Sequence, residues 1–262
     1  MDKTVLRALD AVRDVPDGAV IAVGGFGVCG IPSVLLRALH EHACTNITVV
    51  SNNCGVQGVG ASVLLEDRRV ARLVASYVGE NKELERQYLS GEVEVCLTPQ
   101  GTLAEKLRAG GSGIAAFFTR TGVGTQVAQG GLTLRHDAGG KVTLTSAAKE
   151  TRTFTVAGVA HTYVLEEALM PDFAVVRAHK GDRHGNLVFR KAARNFNPLC
   201  AMAARVTIAE VEMLVEPGEL EPDEIHLPGI FVHRVVPLTA DQVAAKPIER
   251  RTTRKRSTAG DH

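Results

Sequence analysis

A buried strand that runs directly into a glycine-rich turn constrains this chain more than any other feature. The apolar run over residues 19–23 predicts a parallel strand, and the leucine-rich segment that begins at Pro32 predicts an amphipathic helix. The intervening segment 24–30 contains four glycines, which let the backbone bend sharply and bring its N–H groups close to a ligand. Because a helix N-terminus favours negative charge, we expect a phosphate, pyrophosphate or carboxylate to bind at this loop.

Two well-known nucleotide motifs match this loop only in part. Gly25, Gly27 and Gly30 fit the dinucleotide fingerprint G-x-G-x-x-G, which also requires an acidic residue at the end of the second strand. That strand ends in residues 51–55, Ser-Asn-Asn-Cys-Gly, which contain no carboxylate. The positions after Gly30 also lack the lysine and the Ser/Thr of a P-loop, so we expect no hydrolysis of a nucleoside triphosphate. A tight turn without a ligand stays open as an alternative.

Composition and charge exclude several classes of function. The chain has 262 residues, with 30 basic and 29 acidic side chains, and this balance argues against nucleic acid as a partner. No segment approaches the about 18 consecutive apolar residues of a membrane span, and no signal peptide is recognisable, so we expect no membrane association. The five cysteines are scattered without a C-x-x-C pair, which predicts a reduced, cytoplasmic location and no metal site.

Strand and helix patterns alternate along the chain and predict an α/β fold with an open, mostly parallel sheet and flanking helices. Residues 132–163 instead have the pattern of β-hairpins and predict a small β-rich insertion. A further strand is predicted at residues 230–232. We place one domain at residues 1–238. Residues 239–262 are rich in lysine and arginine, and we predict a basic tail that is disordered or docks on a partner.

Five polar or glycine-rich loops follow predicted strands. They cover residues 24–30, 51–55, 77–81, 98–101 and 119–125. Because the carboxyl ends of parallel strands lie along one edge of an open sheet, we expect the five loops to converge on one site. Asn52, Asn53 and Gln100 carry amides that donate and accept without titrating, which suits the binding of a carboxylate or a carbonyl oxygen. Turn formation is the alternative role for each asparagine.

Taken together, these segments resemble the family I coenzyme A transferases, and in particular the A (alpha) subunits of 3-oxoacid CoA-transferases. The resemblance covers about residues 3–236. The matching segments are 24–32 (GGFGVCGIP), 51–53 (SNN), 76–81 (SYVGEN), 98–105 (TPQGTLAE), 121–125 (TGVGT), 180–183 (KGDR) and 190–198 (RKAARNFNP). The chain departs from the family pattern at Arg120, where proline is usual, and over residues 137–158, which are longer and richer in strand.

The resemblance implies a transferase that moves CoA from an acyl-CoA, typically succinyl-CoA, to a free 3-oxoacid such as acetoacetate. In this family the nucleophile is a glutamate of the B subunit, which attacks the thioester and then carries CoA as a glutamyl thioester. This chain is therefore expected to supply no catalytic nucleophile and to hold no permanent cofactor, with coenzyme A and acyl-CoA as substrates. It is expected to act only together with the B subunit of the CoA-transferase, in a heterodimer or an α2β2 heterotetramer.

The resemblance also implies roles for individual residues. The residues expected to cradle CoA or the acyl carboxylate are Gly24, Gly25, Phe26, Gly27, Val28, Cys29 and Gly30. The residues expected to line the active site are Asn52, Asn53, Gln100, Gly122 and Gly124. Which of the two asparagines faces the site stays open.

Glu80 lies in Gly79-Glu80-Asn81, which superficially resembles the nucleophile motif of the B subunit. A nucleophile needs a desolvated site beside an oxyanion hole, whereas carboxylates in polar turns are mostly solvated, so we expect Glu80 not to be catalytic. Three alternative functions stay open. They are the A subunit of a 3-oxoadipate CoA-transferase, which shares the loops, an acetate-type CoA-transferase, and a ligand-sensing domain of the same architecture.

Overall fold

The structure is a computed structural model, and it describes residues 1–245 of the chain. The strands in chain order are β1 (Val20–Val23), β2 (Ile47–Asn53), β3 (Val70–Tyr77), β4 (Glu94–Leu97), β5 (Ala116–Thr119), β6 (Thr133–His136), β7 (Val142–Thr145), β8 (Thr151–Val156), β9 (Val159–Glu167), β10 (Phe173–Asp182), β11 (Leu187–Val188), β12 (Val206–Val215) and β13 (Arg234–Pro237). The α-helices are α1 (Ala8–Val12), α2 (Ser33–His42), α3 (Lys82–Leu89), α4 (Gln100–Gly111), α5 (Gln126–Gln129), α6 (Asn197–Ala203) and α7 (Ala240–Ala244).

The central sheet is open and mostly parallel, which confirms the predicted fold class. Its strands lie in the order β13-β12-β10-β1-β2-β3-β4, and the short β11 pairs antiparallel with β10. From β1 the chain builds the sheet outward in one direction through β4 and later in the other direction through β13. This reversal creates a topological switch point between β1 and β10, where open α/β sheets commonly bind ligands.

Helices cover both faces of the sheet, and this explains the nearly continuous apolar runs of the inner strands. On one face, Ile21 and Val49 pack with leucines of α2 in a buried cluster. On the other face, Ala22 and Val50 pack against α4 and α6, with Leu103 fully buried. Successive strand residues therefore enter different cores, as the period-2 geometry of a strand requires.

The predicted β-rich insertion is present as two small antiparallel sheets. One contains β5, β9 and β8, and the other is the hairpin of β6 and β7. The strand before residues 119–125 therefore belongs to a separate sheet, and that loop does not follow a strand of the parallel sheet. The prediction that all five loops follow strands of one parallel sheet is wrong for this loop, because a short apolar strand has the same pattern in either kind of sheet.

Two details near the C-terminal end differ from the sequence-based expectations. The segment 230–232 is not a strand: Gly229–Phe231 forms a 3₁₀ turn, and the neighbouring strand is β13. Thr239, the first residue of the predicted tail, caps α7 with a complete capping box. Residues 246–262 of that tail lie outside the described residues. Within residues 1–245 no helix is long and apolar enough to cross a membrane.

Packing of α4 against the sheet gives a test of this architecture. Leu103 is fully buried, so Leu103→Ala is expected to lower the free energy of unfolding by about 2–5 kcal/mol, through lost apolar burial and a new cavity. The control is Leu89→Ala, because Leu89 is 51% exposed and its truncation is expected to change stability by no more than about 0.5 kcal/mol. Urea unfolding measures both variants, and equal losses would contradict the assigned burial.

Candidate active site

The glycine loop, residues 24–30, follows β1 at the switch point and forms a tight hairpin. Phe26 and Cys29 exchange two backbone hydrogen bonds of 3.0 and 2.9 Å, which leaves Gly27 and Val28 at the tip. Gly27 has a φ of +60°, a left-handed conformation that glycine adopts without a steric penalty. The N–H groups of Gly27 and Val28 have no acceptor in the part of the chain that the structure describes. These two donors are available to a ligand.

Asn197, at the start of α6, fastens the glycine loop to the sheet. Its side chain is fully buried, and its Nδ2 donates to the carbonyl oxygens of Gly30 at 3.0 Å and Ala193 at 2.9 Å. Its Oδ1 accepts from the backbone N–H of Arg177 on β10 at 3.0 Å. A Cβ atom at Gly24 would lie 2.0 Å from the same Oδ1. Glycine is therefore required at position 24 for this close approach.

The N-terminus of α2 already holds a carboxylate that belongs to the protein itself. Oε2 of Glu210, a fully buried residue of β12, accepts from the N–H groups of Val34 at 3.0 Å and Leu35 at 2.9 Å. Oε1 accepts from Nη1 of Arg177 at 3.1 Å. These two N–H groups at the helix end are therefore already occupied within the protein. Anion binding at the glycine loop stays a prediction, and it depends on the donors at the tip of the loop.

The ionisation of Glu210 is set by its burial. Removal from water raises the pKa of this carboxyl to about 7, although Arg177 and the two helix N–H groups lower it. Nε of Arg177 also donates to Oε1 of Glu212 at 3.1 Å. One buried guanidinium therefore donates to two carboxyl groups, Glu210 and Glu212. Its single positive charge cannot fully offset two negative charges.

Asn52, Asn53 and Gln100 come together at the carboxyl edge of the sheet, as their loops predicted. Asn52 is only 4% exposed, and its Oδ1 accepts from Nε2 of Gln100 at 3.2 Å. The one hydroxyl hydrogen of Ser76 is shared between the backbone oxygen of Asn52 at 2.8 Å and its Oδ1 at 3.0 Å. Nδ2 of Asn52 donates to Oδ1 of Asn53 at 3.3 Å. Asn52 therefore positions its neighbours, because its side-chain amide contacts Ser76, Gln100 and Asn53. We name Asn52, Asn53, Ser76 and Gln100 the amide cluster.

Ser76 is the member of the amide cluster that the sequence analysis did not single out. It lies on β3 at the level of Asn52, because Ser51 pairs with Ala75 and Asn53 pairs with Tyr77. The sequence does show a polar residue near the end of the strand that neighbours β2. Only the register of β2 and β3 shows that Ser76 lies at the level of Asn52.

The two asparagines point toward opposite faces of the sheet. Asn52 follows Val50 in the strand alternation and lies on the side of α4, where Gln100 reaches it. Asn53 lies on the other face, level with Tyr77 of the neighbouring strand. Gln100 is exposed and is the first residue of α4, whereas the sequence placed it in a loop.

The first turn of α4 provides further donors beside the amide cluster. No side chain caps this helix of 12 residues, and the N-cap residue is Pro99. The N–H groups of Gly101 and Thr102 have no acceptor among residues 1–245. Together with the positive end of the helix dipole, these groups favour a negatively charged oxygen near Gln100.

Three further residues discussed from the sequence are not hydrogen-bonded to this cluster in the described part of the chain. Glu80 is exposed in the turn before α3, which agrees with a solvated carboxylate. Gly122 and Gly124 belong to the loop after β5, where the carbonyl of Gly122 accepts from the hydroxyl of Thr125 at 2.8 Å. No hydrogen bond among the described residues links that loop to the amide cluster.

The sulfur and metal chemistry of the described residues is limited. Burial raises the pKa values of the Cys54 and Cys200 thiols to about 12, so neither is a thiolate near neutral pH. Among residues 1–245 no group of three or more His, Cys, Asp or Glu side chains could hold a metal ion.

The buried carboxyl of Glu210 predicts a pH dependence of stability. A raised pKa means that the folded state binds the proton more tightly than the unfolded state. This contribution to the free energy of unfolding is therefore complete below about pH 4.5 and is lost as the pH rises through about 7. Glu210→Gln removes the titration, so the stability of the wild type relative to this variant is expected to fall between about pH 5 and 8, with a slope of at most about 1.4 kcal/mol per pH unit. Urea unfolding at several pH values measures this difference, and parallel stability curves would contradict it.

Comparisons with known proteins identify one family. The coenzyme A transferase family model matches residues 5–238. A relative from Mycobacterium tuberculosis (strain ATCC 25618 / H37Rv), named as the A subunit of a probable succinyl-CoA:3-ketoacid coenzyme A transferase, is 60% identical over 97% of this chain and all of its own length. A relative from Xanthomonas campestris pv. campestris (strain B100), named as the A subunit of a succinyl-CoA:3-ketoacid coenzyme A transferase, is 52% identical over 92% of this chain and 89% of its own.

The solved structures support the fold independently of close sequence similarity. An acyl-CoA transferase from Escherichia coli O157:H7, solved as a thioester complex with CoA, matches 92% of this chain with a TM-score of 0.73 and 23% identity. The match covers 48% of that protein, so this chain spans about half of its length. With the family model matching most of the sequence, this chain belongs to the coenzyme A transferase family.

Proposed function

We propose that this chain is the A subunit of a succinyl-CoA:3-ketoacid CoA-transferase, which moves CoA from succinyl-CoA to acetoacetate with a B subunit. The relatives with that name, at 52–60% identity over nearly full length, support these substrates over 3-oxoadipate and over a ligand-sensing role. The observation that carries the proposal is the amide cluster at the carboxyl edge of the sheet, which offers neutral donors and no nucleophile. A cytoplasmic location is part of the proposal.

Gln100 is the donor best placed to assist the chemistry. Attack of a carboxylate on a thioester develops negative charge on the thioester oxygen, and fixed donors that meet this charge accelerate the step. One hydrogen of Gln100 Nε2 goes to Asn52, and the exposed side chain keeps its second hydrogen for a substrate. The N–H groups of Gly101 and Thr102 lie in the same helical turn and reinforce this role.

The glycine loop is proposed to hold part of CoA or the acyl carboxylate. The free N–H groups of Gly27 and Val28 support this role, and Asn197 keeps the loop in one conformation. The remaining loop residues are included because they shape this hairpin. Gly122 and Gly124 stay in the proposed site on the family resemblance alone.

A second polypeptide is proposed to complete the site. The family reaction needs a desolvated glutamate, and Glu80, the carboxylate beside this edge, is exposed. Three large apolar side chains of the same edge are also exposed: Phe26 at 45%, Tyr77 at 53% and Leu97 at 45%. Such a surface suits burial by a partner, and a heterodimer or an α2β2 assembly would supply it.

Co-expression with a B subunit tests this function. The purified complex is expected to form acetoacetyl-CoA from succinyl-CoA and acetoacetate, and Gln100→Ala is expected to lower kcat/KM by about 10²–10³ without dissociating the complex. The matched control is Gln129→Ala, an exposed glutamine outside the site, with unchanged kinetics expected. A complex without transferase activity would contradict the proposed function. Equal kinetics for the two variants would remove Gln100 from the site.

A further inference from the structure

A cavity of about 370 Å³ opens at the carboxyl ends of β3 and β4, next to the face of the sheet on which Asn53 lies. Its walls are mostly apolar and include Val78, Leu84, Val95 and Leu97. Its volume is sufficient for part of a small molecule, because ligand pockets typically span about 300–1,000 Å³. None of the residues of the amide cluster is among the residues that line this cavity.

Asn81 is one of the residues that line the cavity, and its side chain contains a buried donor that lacks a partner in the described part of the chain. Its side chain is 2% exposed, and Oδ1 accepts from the N–H of Leu84 at 3.0 Å as the N-cap of α3. This bond fixes the orientation of the amide, because the helix N–H requires an oxygen. Nδ2 is then buried without an acceptor in the described part of the chain. An unsatisfied buried donor is unfavourable, and capping alone does not require it, since Asp and Ser cap equally well.

The charge around the cavity restricts what can enter. Glu80 and Glu85 are exposed and lie among the lining residues, and none of the described lining residues is basic. Phosphate groups of CoA and the distal carboxylate of succinate are therefore repelled. The uncharged portions of the proposed substrates are the pantetheine arm of CoA and the ketone end of acetoacetate. Each combines aliphatic carbon with a carbonyl oxygen.

We propose that this cavity binds an uncharged aliphatic segment of a substrate, whose carbonyl oxygen accepts a hydrogen bond from Nδ2 of Asn81. The segment is either the amide-containing pantetheine arm or the ketone end of the 3-oxoacid. The apolar walls hold its carbon chain, and the glutamates at the rim exclude anionic groups. The identity of the segment rests on the proposed function, whereas the existence of the site rests on the cavity and its unpaired donor.

Three variants, each studied in complex with the B subunit, test the site. Asn81→Asp keeps an oxygen for the N–H of Leu84 but replaces the Nδ2 donor with an acceptor, so α3 stays capped. Leu97→Trp fills the cavity. Leu89→Trp is the control, because Leu89 is similarly exposed, at 51% against 45% for Leu97, but does not line the cavity.

Steady-state kinetics is the first measurement. Asn81→Asp and Leu97→Trp are each expected to raise the KM of one substrate by about tenfold or more, with the control unchanged. A raised KM for succinyl-CoA identifies the pantetheine arm, and a raised KM for acetoacetate identifies the ketone end. Unchanged KM values for both substrates in a folded Asn81→Asp complex would overturn the proposal. Loss of the complex in Leu97→Trp, with normal kinetics in Asn81→Asp, would also overturn it and assign the cavity to the partner interface.

Saturation-transfer NMR separates this inference from the proposed function, since it needs no turnover. Pantetheine and acetoacetate are added separately to the wild-type and Asn81→Asp complexes. The expected result is a signal from at least one probe that falls several-fold in the variant. Equal signals from both complexes, or none from the wild type, would contradict the proposed site even if the enzyme is an active transferase. A signal that depends on Asn81 in an inactive complex would support the site and contradict the proposed function.

Discussion

The buried carboxylate of Glu210 is the interaction on which the rest of this edge of the molecule depends. It joins β12 to the first turn of α2 and to Arg177 of β10, so one side chain ties two strands and a helix together. A buried charge is tolerated only when paired and hydrogen-bonded, and both oxygens of Glu210 have partners. Because α2 begins directly after the glycine loop, this contact also fixes where that loop leaves the sheet.

The contact of Glu210 with the first turn of α2 limits which backbone donors are free for the proposed substrate. The positive end of α2 is neutralised by the protein itself, whereas the first turn of α4 has free N–H groups beside Gln100. The available donors therefore lie at the ends of β2 and β3, in the amide cluster, and at the tip of the glycine loop. These donors are neutral near physiological pH, so they orient and stabilise without taking part in proton transfer. The proposed function accordingly assigns the nucleophile to a second polypeptide.

Much of this arrangement follows from local sequence, and the remainder depends on distant contacts. The apolar run before Gly24 predicted a buried strand, and the polar strand ends predicted that Asn52 and Gln100 would meet. The Glu210 cap was not predictable, because 176 residues separate it from Val34 and an isolated glutamate in a strand has no sequence signature. The sheet to which β5 belongs was not predictable either, since only its pairing with β9 distinguishes it from a strand of the parallel sheet.

The most direct test is hydrogen–deuterium exchange on the assembled two-subunit complex with and without a CoA ester. The site inferred from the free donors predicts new protection in peptides that cover residues 24–30 and 98–102. It predicts no new protection at Val34 and Leu35, whose N–H groups already bind Glu210. New protection at Val34 and Leu35 without change at 98–102 would contradict the account, because the ligand would then have displaced the internal carboxylate.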